Sequence, residues 1–349
     1  MTRKRMSMPI TEWPAADRAL LEALRQTGGL FDDPGELAHL RLSSMLILTR
    51  PWGRFLEWLR LNEPAALAEP PVGRTTLPRL RAWVKAEDDL RPSSRLMFFN
   101  GVLRLLCAAA PDEDWSAYRR VKAGLEWLAG RGDPSRKAGR ILDSRVLLEA
   151  ALRHAGPELD LEPTALQRAK RLRDAAMVAL LAMMPIRHRA FAALQLGVSV
   201  MVDARGLTII LSDELTKSAR HWEADIPEPA AGLLRRYLSE ARPFLLARRG
   251  KQHEMVWACD NGDPMSYSYV GRRVPQITEA LTGVPIPPHF FRDAAATTLA
   301  RSSRQAAQLI RPVLGHATTR TSERHYIHAG TIEASRDFAT LLRQLKKDE

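Results

Sequence analysis

"GVSVMVDARGLTIILSDEL", residues Gly197–Leu215, breaks the rhythm of this chain. On either side of it apolar residues recur every three to four positions, the period of a helix. Within it they alternate: Val198, Val200 and Val202, then Leu207, Ile209 and Leu211. Alternation in a run rich in Val and Ile is the mark of paired strands, and "DARG" (Asp203–Gly206) between the two halves supplies turn chemistry. The stretch predicts an antiparallel hairpin, with "HWEADIP" (His221–Pro227) as a candidate third strand.

Outward from the hairpin everything reads as helix. Upstream lies "TALQRAKRLRDAAMVALLAMM" (Thr164–Met184); downstream lie Glu228–Arg242, Ser266–Gly283, Pro288–Ser303 and Arg304–Gly315. The first half reads as helices punctuated by Pro and Gly: Pro14–Gly29, Gly35–Arg50, Trp52–Asn62 with Pro51 as a break, Arg79–Leu90, Ser93–Ala110 and Asp112–Gly130. The Pro-rich stretch Glu63–Pro78 reads as a loop, and the six Trp before residue 130 read as core. The candidate breaks are "GRGDPSRKAGR" (Gly130–Arg140) and "HAGPELDLEPT" (His154–Thr164); Gly, Pro and acidic residues cluster in the second, so two domains are expected, 1–157 and 158–349. The fold class expected is mainly α with a small antiparallel β-sheet.

Composition narrows the function classes. Lys and Arg outnumber Asp and Glu by 52 to 40, a net charge of +12, and both halves are net positive. A polyanion that touches both halves fits this balance, with double-stranded DNA as the leading partner; an Arg-rich set of solvated helices fits it too. Two distant cysteines, Cys107 and Cys259, make neither a disulfide framework nor a zinc site. No apolar run is long enough to span a membrane, and "MTRKRMSMPI" lacks the apolar core of a signal peptide, so a cytoplasmic protein is expected.

Five features of the second half belong together. Arg187 follows a Met-rich apolar run in "MMPIRHRAFAALQLG". Lys217 lies in a polar turn between predicted strands. His289 and Arg292 sit three apart at the start of a helix that follows Pro287–Pro288, hence on one helical face. His316 follows Gly315, a residue suited to ending a helix. Tyr326 comes ten residues later, in a chain with only five tyrosines. Singly, each has a plain alternative: a solvated Arg or Lys, a chance His-x-x-Arg pair, a packed Tyr.

In this order and spacing, over Thr164–His328, the chain resembles the tyrosine recombinases, the phage integrase family. The resemblance implies a helical core-binding domain followed by an α+β catalytic domain. It implies that Arg187 and Arg292 clamp the scissile phosphate and that Lys217 protonates the leaving 5′-hydroxyl. His289 would assist as acid or base, His316 would hydrogen-bond the phosphate, and Tyr326 would attack phosphorus to form a 3′-phosphotyrosyl link. Arg187 is chosen over Arg189 because Phe191 and Leu194 stand where relatives carry apolar residues.

The chemistry suits these residue types. A phenol can attack phosphorus and later be expelled, so bond energy is retained. Guanidiniums are permanently charged and donate paired hydrogen bonds to the non-bridging oxygens. No cofactor or metal is expected, and the spacing of His289, His316, His325 and His328 fits no standard zinc template.

The chain departs from the family at Ala190, where relatives often carry an acid three residues after the first Arg, and at Asp293, where many carry His. The tail after Tyr326 carries a partial apolar stripe (Ile332, Phe338, Leu341, Leu342, Leu345), which the resemblance implies docks on a neighbouring protomer. A tetramer on DNA, with or without partner recombinases, is implied as well. The rival readings are a type IB topoisomerase-like enzyme and an idle DNA-binding accessory protein on the same fold.

Overall fold

A computed structural model of the chain describes residues 6–29, 32–130, 139–204, 206–216 and 221–314. The chain divides into two units, 1–134 and 135–349.

The first unit is helical: α1 (Ala15–Arg25), α2 (Leu42–Asn62), a single turn α3 (Pro71–Arg74), α4 (Leu77–Ala86), α5 (Pro92–Ala109) and α6 (Ser116–Ala129). Its core gathers Trp13, Trp52, Phe55, Trp83 and Phe99 with leucines of α2 and α5. Trp115 is buried too, but Trp127 is 81% exposed, so the expectation that the tryptophans are core holds for most of them and fails there.

Two further expectations change in this unit. Pro51 does not break the helix: α2 runs through it. Proline leaves the carbonyl four residues back without its helical donor. That carbonyl, of Ile47, faces Gly101 on α5, where a Cβ would lie 2.5 Å from the oxygen and 2.6 Å from the Pro51 ring. Glycine admits the neighbouring helix at the defect, while Trp52, Phe55, Leu56 and Leu59 bury the second half of α2 in the core. The Pro-rich stretch is also ordered, since it holds a 3-10 turn (Pro64–Ala68) and α3. Arg74 ends α3 fully buried and ion-paired with Asp17 of α1, whose Oδ1 accepts from Trp52 Nε1 at 2.8 Å. Arg74 also donates to the carbonyls of Leu67 and Glu69 at 2.9 and 3.0 Å.

The second unit comprises α7 (Ser144–His154), α8 (Ala165–Met183), α9 (His188–Ala192), the strands β1 (Val200–Val202), β2 (Leu207–Leu211) and β3 (Trp222–Asp225), then α10 (Ala230–Arg236), which passes through a π-helical turn into α11 (Arg242–Ala247). α12 (Tyr267–Thr282), α13 (Phe290–Ser302), α14 (Arg304–Gln308) and α15 (Ile310–Leu314) complete it. The expected boundary at 157/158 thus lies beyond α7, which belongs to the second unit. α7 packs there because its Leu147 and Ala151 join the core around α8.

α8 is the spine of this unit. Residues 175–182 are buried on every side, as expected of a helix that is apolar all round. Thr164 caps its start, accepting from the Gln167 amide at 3.2 Å. Its one fully buried cation, Arg173, is held by Asp174, by Asp260 at 2.9 Å and by the Ala258 carbonyl at 3.0 Å.

The hairpin forms as expected and the third strand joins it, in the order β1-β2-β3, all antiparallel. Val200 pairs with Ile209, and Leu211 with Trp222. Val200, Leu207, Ile209 and Leu211 point inward, whereas Val198 and Val202 are exposed because β1 is only three residues long. The fold class is therefore mainly α with a small antiparallel sheet.

Candidate active site

The site is built where α8 stops. Met184 still donates to Leu180, but Pro185 cannot continue the helix, and the chain turns extended at Arg187 (φ −65°, ψ 142°) before the short α9 begins. α9 is held at its far end by Phe191, whose buried ring packs on Trp257 at 4.9 Å and whose carbonyl accepts from Trp257 Nε1 at 2.9 Å. At its near end His188 stacks on Tyr267 with ring centroids 3.9 Å apart, and its Nε2 donates to the Tyr267 carbonyl at 3.0 Å.

α13 supplies the second half. His289 sits immediately before the helix, exposed, after Pro287–Pro288, and Arg292 lies in the first turn. Arg292 is a tie between segments. Its Nη1 donates to the Pro185 carbonyl at 2.7 Å and its Nη2 to the Leu314 carbonyl at 2.5 Å. One guanidinium thus fixes the chain two residues before Arg187 and the last described residue before Gly315.

The electrostatics are unusual for a surface so rich in arginine. Burial, then the charge of Arg187, pull the Arg292 guanidinium down to about 10, and Asp293 only partly opposes them. Burial lowers Arg187 as well, with no carboxylate acting against it among the described residues. His188 is lowered by burial, with the neighbouring His289 acting in the same direction and the bond to Tyr267 opposing. Position 190, three residues after Arg187, offers no neutralising acid, since Ala190 is only 1% exposed and apolar. Cations gathered and partly dehydrated in this way form a site for an anion, and paired guanidiniums suit a phosphoryl group.

Of the residues singled out from the sequence, Arg187, His289 and Arg292 are brought to one locality with His188. Lys217, His316 and Tyr326 lie outside the described residues, as does the apolar stripe of the tail. The connection from Leu211 to Trp222, which carries Lys217, does join β2 to β3. Sequence reasoning treated His188 as a mere neighbour of Arg187 and missed Tyr267. The signal was present in "SYSYVG" (Ser266–Gly271), where Gly271 leaves the space that the His188 ring fills. Among the described residues no cluster of three or more His, Cys, Asp or Glu side chains could hold a metal ion, and no helix is long and apolar enough to cross a membrane.

Residues 160–331 match the phage integrase family. The chain is similar in fold to the XerH site-specific recombinase, solved as a pre-cleavage complex bound to difH substrate, with a TM-score of 0.55 and 16% identity over 84% of this chain and 79% of that one. The crystal structure of XerA recombinase aligns with 14% identity over 89% of this chain and 93% of that one, with a TM-score of 0.38. No curated protein matches.

Proposed function

We propose that this chain, whose residues 160–331 match the phage integrase family, is a site-specific tyrosine recombinase that cuts and rejoins duplex DNA through a 3′-phosphotyrosyl intermediate and a Holliday junction. The observation that carries the reading is Arg292, which ties the Pro185 carbonyl, two residues before Arg187, to the Leu314 carbonyl and is pulled down to about 10 by burial first and by the charge of Arg187 second. A scissile phosphate relieves that repulsion, most of all when charge builds on its non-bridging oxygens, so the clamp favours the transition state.

In this reading Lys217, carried by the β2–β3 connection, protonates the 5′-oxygen as it leaves. His289 assists proton transfer and His316 hydrogen-bonds the phosphate. Tyr326 gives its phenolic proton to His289 and attacks phosphorus, the 5′-oxygen departs with the proton from Lys217, and a 5′-hydroxyl from the partner strand later reverses the step. The partner is double-stranded DNA, gripped by the basic residues of both units, so binding weakens as salt rises. Strands are exchanged in pairs within a tetramer, in the service of integration, excision or transposition of a mobile element. The protein works in the cytoplasm, on the nucleoid. The fold likeness to a recombinase solved with its DNA substrate supports this choice over a topoisomerase.

The test uses two supercoiled plasmids, one carrying two copies of a site selected from random-sequence DNA by binding, the other carrying none. Excision of the segment between the sites is the expected result. Robust relaxation of the plasmid without sites would favour the topoisomerase reading, and binding without any strand cleavage would favour the accessory protein.

A further inference from the structure

Arg187 has an unusual problem of aim. Among the described residues its guanidinium has no hydrogen bond and no ion pair, and burial alone lowers it. Among these residues it is the backbone that sets its direction. The helix that follows is five residues long, too short to hold itself. Phe191 holds the far end of this helix, so the near end, beside Arg187, is left to the residue immediately after it.

His188 is built as that anchor. Its ring lies flat on Tyr267 at 3.9 Å, its Nε2 donates to the Tyr267 carbonyl at 3.0 Å, and it rests over the bare backbone of Gly271, where a Cβ would meet Cε1 at 2.8 Å. Stacking, hydrogen bond and steric fit all join α9 to the first turns of α12. We propose that His188 is a positioning residue that aims Arg187 at the phosphate by fastening α9 to α12. This rests on the reading of Arg187 as a phosphate clamp.

The hydrogen bond and the ring make separable contributions. His188→Phe keeps the stack and loses the donor, whereas His188→Gln loses the ring and keeps a donor at the same reach. Gly271→Ala leaves His188 in place but drives its ring off the carbonyl, because the added methyl would occupy the space of Cε1.

The experiment reads the affinity of the full-length protein for inorganic phosphate, followed through the arginine Nε–Hε resonances, and needs no knowledge of the DNA site. Arg187→Met should weaken binding about tenfold, the loss expected for one charge-assisted contact. His188→Phe should weaken it about fivefold with the melting temperature unchanged, and His188→Gln should stay within about twofold of the wild type. The double variant Arg187→Met/His188→Phe should bind no more weakly than Arg187→Met alone, because the histidine acts through the arginine. If His188→Phe fails to fold, Gly271→Ala carries the same prediction. The proposal is overturned if Arg187→Met weakens phosphate while His188→Phe and Gly271→Ala do not, or if the two losses multiply. Phosphate binding untouched by Arg187→Met would overturn the clamp reading itself, and the positioning role with it.

Discussion

Replacing Arg187 by Met should stabilise the protein while destroying its chemistry. The substitution keeps the aliphatic stem and removes only the charge. In the wild type Arg292 is held at about 10, well below its ordinary value, first by burial and second by Arg187. At about 1.4 kcal/mol for each pH unit of displacement, keeping Arg292 charged costs the fold about 3 kcal/mol. Burial is the larger cause, so the share of Arg187 is on the order of 1 kcal/mol. The sign follows from linkage. A base whose folded pKa lies below its unfolded one is penalised while charged, so the penalty is complete below about pH 10 and fades as the pH rises through and beyond that value.

At neutral pH, then, Arg187→Met should raise stability by about 1 kcal/mol, or roughly 2–4 °C in the melting of a unit of this size. Calorimetry is the suitable assay, because six of the eight tryptophans lie in the first unit and would dominate fluorescence. DNA cleavage by the same variant should fall by about 10²–10³-fold, the typical loss on removing one donor to a developing oxyanion. A variant that loses 1 kcal/mol or more, or that cleaves at the wild-type rate, refutes the reasoning.

Three other outcomes follow from the packing. Asp17→Ala strands the fully buried Arg74 and should destabilise the first unit by about 3–5 kcal/mol in denaturant unfolding; a loss below about 1 kcal/mol contradicts the buried pair. Gly101→Ala places a methyl 2.5 Å from the Ile47 carbonyl at the Pro51 defect and should cost about 1–3 kcal/mol by the same measurement; a neutral result contradicts the close approach of α2 and α5. Changing Phe338 and Leu342 together to Asp should impair assembly of several protomers on DNA far more than binding to a single half-site, as read by gel mobility; equal loss of both would sink the proposed docking role of the tail.

Much of the second unit was legible in the sequence because its signals are local. Alternation in Gly197–Leu215 marks strands whatever surrounds them, and the apolar run of α8 marks a helix buried on all sides. Arg187, His289 and Arg292 were singled out by order and spacing, and the structure places them in one locality. What was not legible depends on partners distant in sequence. Pro51 reads as a break because proline disrupts a helix locally; the close approach of α5 at Gly101, fifty residues away, and the burial of Trp52 and Phe55 are not visible there. Arg74 reads as a loop arginine until Asp17 is seen beside it. α7 carries no mark of which core it joins, and it joins the second. His188 reads as a mere neighbour of Arg187, and its stack on Tyr267, seventy-nine positions on, is invisible until the fold is seen.

The central claim is that a phenol of this chain becomes covalently joined to DNA, and that the phenol is Tyr326. The most direct measurement traps the protein on a nicked suicide duplex carrying a selected site, digests the adduct and locates the modified residue by mass spectrometry. The account predicts a 3′-phosphotyrosyl nucleotide on Tyr326 and no adduct with Tyr326→Phe. An adduct that persists in that variant, or that maps to Tyr267, the tyrosine stacked on His188, would contradict it.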